Sequence, residues 1–169
     1  MKLKEMVFAL LFLFGPMAMA LNDSEIAEIL RTANQAELDV AKMATTRASS
    51  PDVKDFAKDM IADHQANQND EAKITKAGKI FPQPNDTATE LKKGVQDQMM
   101  QLGKQSGFAF DKAYIDNQVA MHRQLLSDLN QKLIPAASNP EFKAFLNSTK
   151  DHVEKHLSKA QEIQTALKK

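Results

Sequence analysis

The chain has 169 residues with 22 basic and 22 acidic side chains, a formal net charge of zero, no cysteine, no tryptophan, one tyrosine and five glycines. Disulfide scaffolds and cysteine-ligated zinc or iron–sulfur sites are thereby excluded, and a balanced charge supplies no global field for gathering nucleic acid. The length suits one domain with a real core, and the abundance of Ala, Lys, Gln, Asp and Leu over β-branched and aromatic residues favours helices.

Lys2 and Lys4 precede an apolar run from Met6 to Met19, broken by Gly15 and Pro16, that closes on Ala18-Met19-Ala20. A basic start, a short apolar middle and a small-x-small end are the parts of a secretory signal peptide. The run falls short of the roughly 20 apolar residues that span a bilayer, and no cysteine follows it to carry a lipid. The expectation is a signal peptide over 1–20 and a single helical domain over 21–169. Cleavage removes Lys2, Lys4 and Glu5 and leaves a net charge of −1. No later stretch is apolar enough to cross a membrane, so the chain reads as an exported protein, periplasmic or secreted, with no nucleic-acid partner.

From Asn22 to about Ala48, apolar residues recur at helical spacing (Ile26, Ile29, Leu30, Ala33, Val40, Ala41, Ala44), with Asn22 and Glu25 forming a capping box. Ser50 is the expected N-cap of a second helix, with Pro51 at its first position. That helix carries Val53, Phe56, Ala57, Met60, Ile61, Ile74 and Ala77 and stops near Gly78. Pro82 and Pro84 make an extended connection. Thr87 with Glu90 is read as a capping box opening a shorter helix to about Leu102. After Gly103 and Gly107 comes a long segment with Phe108, Ile115, Val119, Leu125, Leu126, Leu129 and Leu133 on one stripe, expected to end before Pro135. Asn139-Pro140 opens a last helix with Phe142, Phe145, Leu146, Val153, Leu157, Ala160, Ile163 and Leu167. Four long amphipathic helices joined by short loops predict an all-α, antiparallel four-helix bundle with an extra short helix before the third long one.

Four titratable residues interrupt these stripes where the inside should be apolar: Glu37, His64, His122 and His156, one near the middle of each long helix. Helix midpoints meet in a bundle whichever way each helix runs, and an error of three residues shifts a group by only about 5 Å. All four therefore belong to one layer, where isolated buried charge is costly and needs a partner. A metal ion is one such partner and a hydrogen-bonded network the other. Three histidines and one carboxylate suit zinc, copper, nickel or a single iron better than a bridged pair of ions. The Glu-x-x-His motif of di-iron bundles is missing, because Ile61, Val119 and Val153 stand three residues before the histidines. His152, four residues before His156, shares its face but is surrounded by charged residues typical of a solvated surface. Asp63 points about 100° away from His64. Asp111 lies about 16 Å along the axis from His122 and reads, with Tyr114, as structural. Met99 and Met100 read as core filler.

The run Phe56-Ala57-Lys58-Asp59-Met60-Ile61-Ala62-Asp63-His64, the run Ser106-Gly107-Phe108-Ala109-Phe110-Asp111-Lys112-Ala113-Tyr114, and Glu37, His122 and His156-Leu157 together resemble a widespread bacterial family. It comprises exported proteins with a ferritin-like four-helix fold, known as a domain of unknown function and often described as periplasmic or outer-membrane. The resemblance implies that Glu37, Asp63, His64, Asp111, Tyr114, His122 and His156 fall on the family's motif positions. The family's Leu-Pro pair before the last histidine is replaced here by Lys150-Asp151. The resemblance implies fold and export, and no reaction. Two functions follow: a ferritin-like bundle holding one transition-metal ion at Glu37, His64, His122 and His156, or a non-enzymatic bundle with a buried Glu/His hydrogen-bond network, no metal, and exposed helix faces that engage a protein partner.

Overall fold

Capping chemistry sets where the chain turns. In a computed structural model that describes residues 21–168, helix α1 (Asp23–Arg47) starts on Asn22, whose side chain accepts from Ser24 N–H and Glu25 N–H. Glu25 accepts in return from Asn22 N–H at 3.0 Å, which completes the expected capping box. The expected signal peptide, 1–20, lies outside the described residues. Helix α2 (Pro51–Ala77) has Ser50 at its N-cap, but the Ser50 side chain makes no capping bond. Asp111 instead holds the turn that leads into it from another helix, accepting from Ser49 N–H at 2.9 Å, from Ser50 N–H at 2.8 Å and from the Ser49 hydroxyl.

Helix α3 (Asp86–Leu102) begins two residues earlier than the Thr87–Glu90 pair suggests, because Asn85 caps it through Ala88 N–H. Helix α4 (Gly107–Asp128) follows, entered through Gly107 at φ 56°, a conformation that suits a residue without a Cβ. The segment does not stop before Pro135. It widens into a π-helical stretch, Leu129–Leu133, and continues as a short helical turn α5 (Ile134–Ala136) that contains the proline. The wide turn shifts the hydrogen-bond register where the proline has no N–H to give. Helix α6 (Pro140–Ala166) is capped by Asn139 through Phe142 N–H.

The fold is all-helical, with no strand among the described residues. The α1 helix packs on α2 and α3, α4 on α6, and α2 on α6, with a lighter α1–α4 contact. Buried apolar residues form two clusters, one holding Ala44, Val53, Met60, Tyr114, Ile115 and Ala160, the other Ile26, Leu30, Leu129, Leu133, Phe142 and Leu146. Along the chain, α1 and α6 run from the second cluster to the first, while α2 and α4 run from the first towards the second. Between the clusters each long helix contributes polar side chains that are buried: Asn34 and Glu37, His64, Gln118 and His122, Thr149 and His156. Two side chains placed inside by periodicity are outside, Phe108 and Met100, each 58 % exposed. Both flank the α3–α4 turn, where no further helix covers them. No described helix is long and apolar enough to cross a membrane.

Candidate metal centre

The polar layer is assembled from helix faces. On α4, Tyr114, Gln118 and His122 are four residues apart and point to one side. On α1, Asn34 and Glu37 are three apart and do the same. Packing brings three of the four residues singled out from sequence into one cluster. His64, His122 and His156 each offer a ligand atom within 4.8 Å of the others. Their ring centroids lie 5.4 Å apart for His64–His156 and His122–His156, and 6.3 Å apart for His64–His122.

Each ring is held by one nitrogen and leaves the other without a partner in the protein. His64 Nδ1 bonds Asn34 Oδ1 at 2.9 Å, His122 Nδ1 bonds the Gln118 carbonyl at 2.9 Å, and His156 Nε2 bonds Asp63 Oδ2 at 2.9 Å. All three partners are acceptors, so the bonded nitrogen carries the proton in each ring. The remaining atoms, His64 Nε2, His122 Nε2 and His156 Nδ1, are buried with no hydrogen-bond partner. They carry lone pairs. Burial lowers the proton affinity of all three rings: His122 is brought down to about 4 against the Gln118 carbonyl, His156 is lowered despite Asp63, and His64 lies well below its ordinary value, with His122 and His156 adding to the effect. Neutral imidazoles with an outer N–H fixed by an acceptor are the form in which histidine binds a metal ion.

Glu37 borders this cluster. Its Oε2 accepts from Gln118 Nε2 at 2.9 Å, and its Oε1 lies 3.9 Å from His122 Nδ1, the nitrogen already committed to Gln118. Burial raises the Glu37 carboxyl to about 7, opposed by Gln118 and by His156. With Glu37 near neutrality and His122 unprotonated, the close approach is not an ion pair. The Tyr114 hydroxyl and Gln118 Oε1 are also buried without partners beside it, and the Glu37 charge helps raise the Tyr114 pKa after burial itself.

The other candidates take other positions. Asp63, 56 % exposed, turns away from His64 as its spacing requires, towards α6, and orients His156. His152 is exposed and lines the cavity beside the cluster, outside the trio. Asp111 holds the turn that leads into α2. Tyr114 is fully buried against Phe56 and Phe110. Sequence periodicity did not single out Asn34, Gln118 or Glu71 as working groups. Asn34 Nδ2 donates to Asn67 Oδ1 at 2.8 Å and lies 3.4 Å from Glu71 Oε2, and Asn67 donates to Thr149 at 3.0 Å. Glu71 is 4 % exposed and burial raises it to about 7, opposed by Asn34 and Arg31. The available signal was their position on the same helix faces as Glu37, His64 and His122.

The model of a family described as a domain of unknown function (DUF4142) matches residues 15–163. No curated protein and no solved structure matches the chain.

Proposed function

The chain belongs to the DUF4142 family, a domain of unknown function, and we propose that it is an exported, ferritin-like, antiparallel four-helix bundle that binds one transition-metal ion at its centre. His64, His122 and His156 are the nitrogen ligands and Glu37 is the carboxylate ligand, which turns from Gln118 to reach the ion. The observation that carries this reading is the set of three buried, unpartnered imidazole nitrogens whose rings are each anchored from behind. Separations of up to 4.8 Å exceed the roughly 3.3 Å between two nitrogens on one tetrahedral zinc, so binding draws the rings inward. Zinc, copper, nickel and iron all accept such a donor set. The opposite order of the two apolar clusters along α1 and α6 as against α2 and α4 supports the antiparallel bundle. The basic-apolar-small pattern of residues 1–20 supports export.

A metal-free network is the competing reading. It accounts for the outer contacts, but no protein group in it meets the three inward nitrogens, and a buried acceptor left unsatisfied costs about 1–3 kcal/mol. Metal analysis of untagged protein, followed by titration with zinc, copper, nickel and iron after chelator treatment, separates the two. One ion per chain is expected, with affinity lowered at least tenfold in each of His64→Ala, His122→Ala and His156→Ala. Absence of binding by all four metals refutes the centre. In that case His122→Leu should leave the fold intact or more stable, as exchange of a network member for an apolar group permits.

A further inference from the structure

Beside the three histidines lies a cavity of about 80 Å³. Polar and apolar residues both line it, but the surface they turn inward is mostly carbon, with Ile29 and Leu30 of α1, Leu91 of α3, Leu125 of α4, Leu133 of the π-helical stretch and Val153 of α6 as its aliphatic part. Two of the polar groups on the same wall are already engaged. Asp128 accepts from Lys132 at 2.6 Å and from Gln124 at 3.0 Å, and Thr149 accepts from Asn67 at 3.0 Å. Only the histidine nitrogens present unpartnered buried polar atoms to it. A guest in this space therefore meets hydrocarbon on most sides and lone pairs, or an ion, on one.

The geometry points to a binding site for a small, uncharged, largely apolar molecule, seated against Leu30, Leu91 and Leu133 and reaching the centre formed by His64, His122 and His156. The contact to an ion rests on the metal centre proposed above; the cavity does not. A charged guest is disfavoured on the aliphatic side, where Leu30, Leu91 and Leu133 offer it no counter-charge. Volume sets the size: an apolar cavity of about 150 Å³ accepts benzene, and about half of that suits a molecule of roughly two to four heavy atoms. The short helix α3 has a role in this arrangement, since Thr87 and Leu91 form the wall that the long helices leave open.

Xenon is the probe. Metal-free full-length protein should bind xenon at one saturable site, seen as a shift in the ¹²⁹Xe resonance and as a peak between Leu30 and Leu133 in a xenon-pressurised crystal. Ala33→Leu, which adds three carbons at the wall, and Leu91→Phe, which fills it from α3, should each weaken xenon at least tenfold while leaving zinc affinity unchanged. In cobalt(II)-loaded protein the bound xenon should show a paramagnetic shift. Lack of a saturable xenon site, or unaltered xenon binding by both folded variants, overturns the cavity site. Cobalt and xenon bound together without a paramagnetic shift overturns the approach to the ion. Failure of cobalt and zinc alike to bind overturns the contact with an ion, and leaves the xenon measurements to decide the cavity.

Discussion

Buried carboxyl groups give the most direct test at the level of single residues. Glu37 and Glu71 titrate at about 7 in the fold, against 4.5 for an ordinary glutamate, because burial opposes their ionisation. The folded state therefore holds these protons more tightly than the unfolded chain. The stability so gained is complete below about 4.5 and is lost as pH rises through about 7. The histidines act in the opposite direction: a ring whose folded pKa is lowered, as for His122 at about 4, favours folding above its ordinary 6.5 and loses that contribution as pH falls. Glu71→Gln retains the acceptor for Asn34 and removes the charge. It should stabilise metal-free protein by about 1–3 kcal/mol at pH 8 in urea unfolding, with the gain vanishing near pH 4.5. An unchanged midpoint at pH 8 contradicts a buried, reluctant Glu71. The histidines were legible at this scale because each breaks an apolar stripe. Asn34 and Gln118 were not, because amides on a helix face are common and only their acceptor and donor geometry marks them.

Among the elements, two helix ends depart from local capping rules, and both departures can be tested. The turn into α2 takes its acceptor from Asp111 on α4, which is 1 % exposed and meets Ser49 and Ser50. Asp111→Ala should cost about 2–3 kcal/mol, more than an ordinary exposed cap, because three hydrogen bonds to one buried, charged acceptor are lost together. A loss below about 0.5 kcal/mol in denaturant unfolding shows that solvent or Ser50 replaces it. The C-terminus of α2 ends with Ile80 N–H bonded to the Thr75 carbonyl at 2.8 Å. The residue with positive φ in that turn is Lys79, at 53°, while the preceding Gly78 remains right-handed. Glycine is the usual occupant of the left-handed position, so Lys79→Gly should raise stability by about 0.5–1 kcal/mol. A neutral or negative change refutes strain at Lys79. Local sequence identified the Asn22 box and the Asn139 cap, whose donors lie within three residues. It could not identify Asp111 as the acceptor for Ser49 and Ser50, because that partner is about 60 residues away and arrives only when α4 packs.

Across the whole molecule, the polar layer separates two apolar clusters and is contributed by all four long helices, so an ion there links the entire fold. Because the unfolded chain has no preformed site, metal binding appears directly as folding stability. At free metal 100 times its dissociation constant the gain is about 2.7 kcal/mol, which for a domain of this size corresponds to roughly 5–10 °C in Tm. Removal of metal with a chelator should lower Tm by that amount, and the His156→Ala variant should show no such response. A chelator-induced fall of the same size in His156→Ala assigns the stabilisation to a different site.

The sequence by itself determined an all-helical chain and the interruption of its core stripes by Glu37, His64, His122 and His156, since helical period, proline positions and capping residues are local properties. It also determined, through the absence of cysteine, that any resident metal uses histidine and carboxylate. Packing alone brings the three histidines together with Glu37 at their edge bonded to Gln118, sets Asp63 and Asn34 behind the rings, and leaves a cavity beside them. Those outcomes depend on which faces of separate helices meet and at what height, and a one-dimensional pattern fixes the face of a residue without fixing the neighbour it meets.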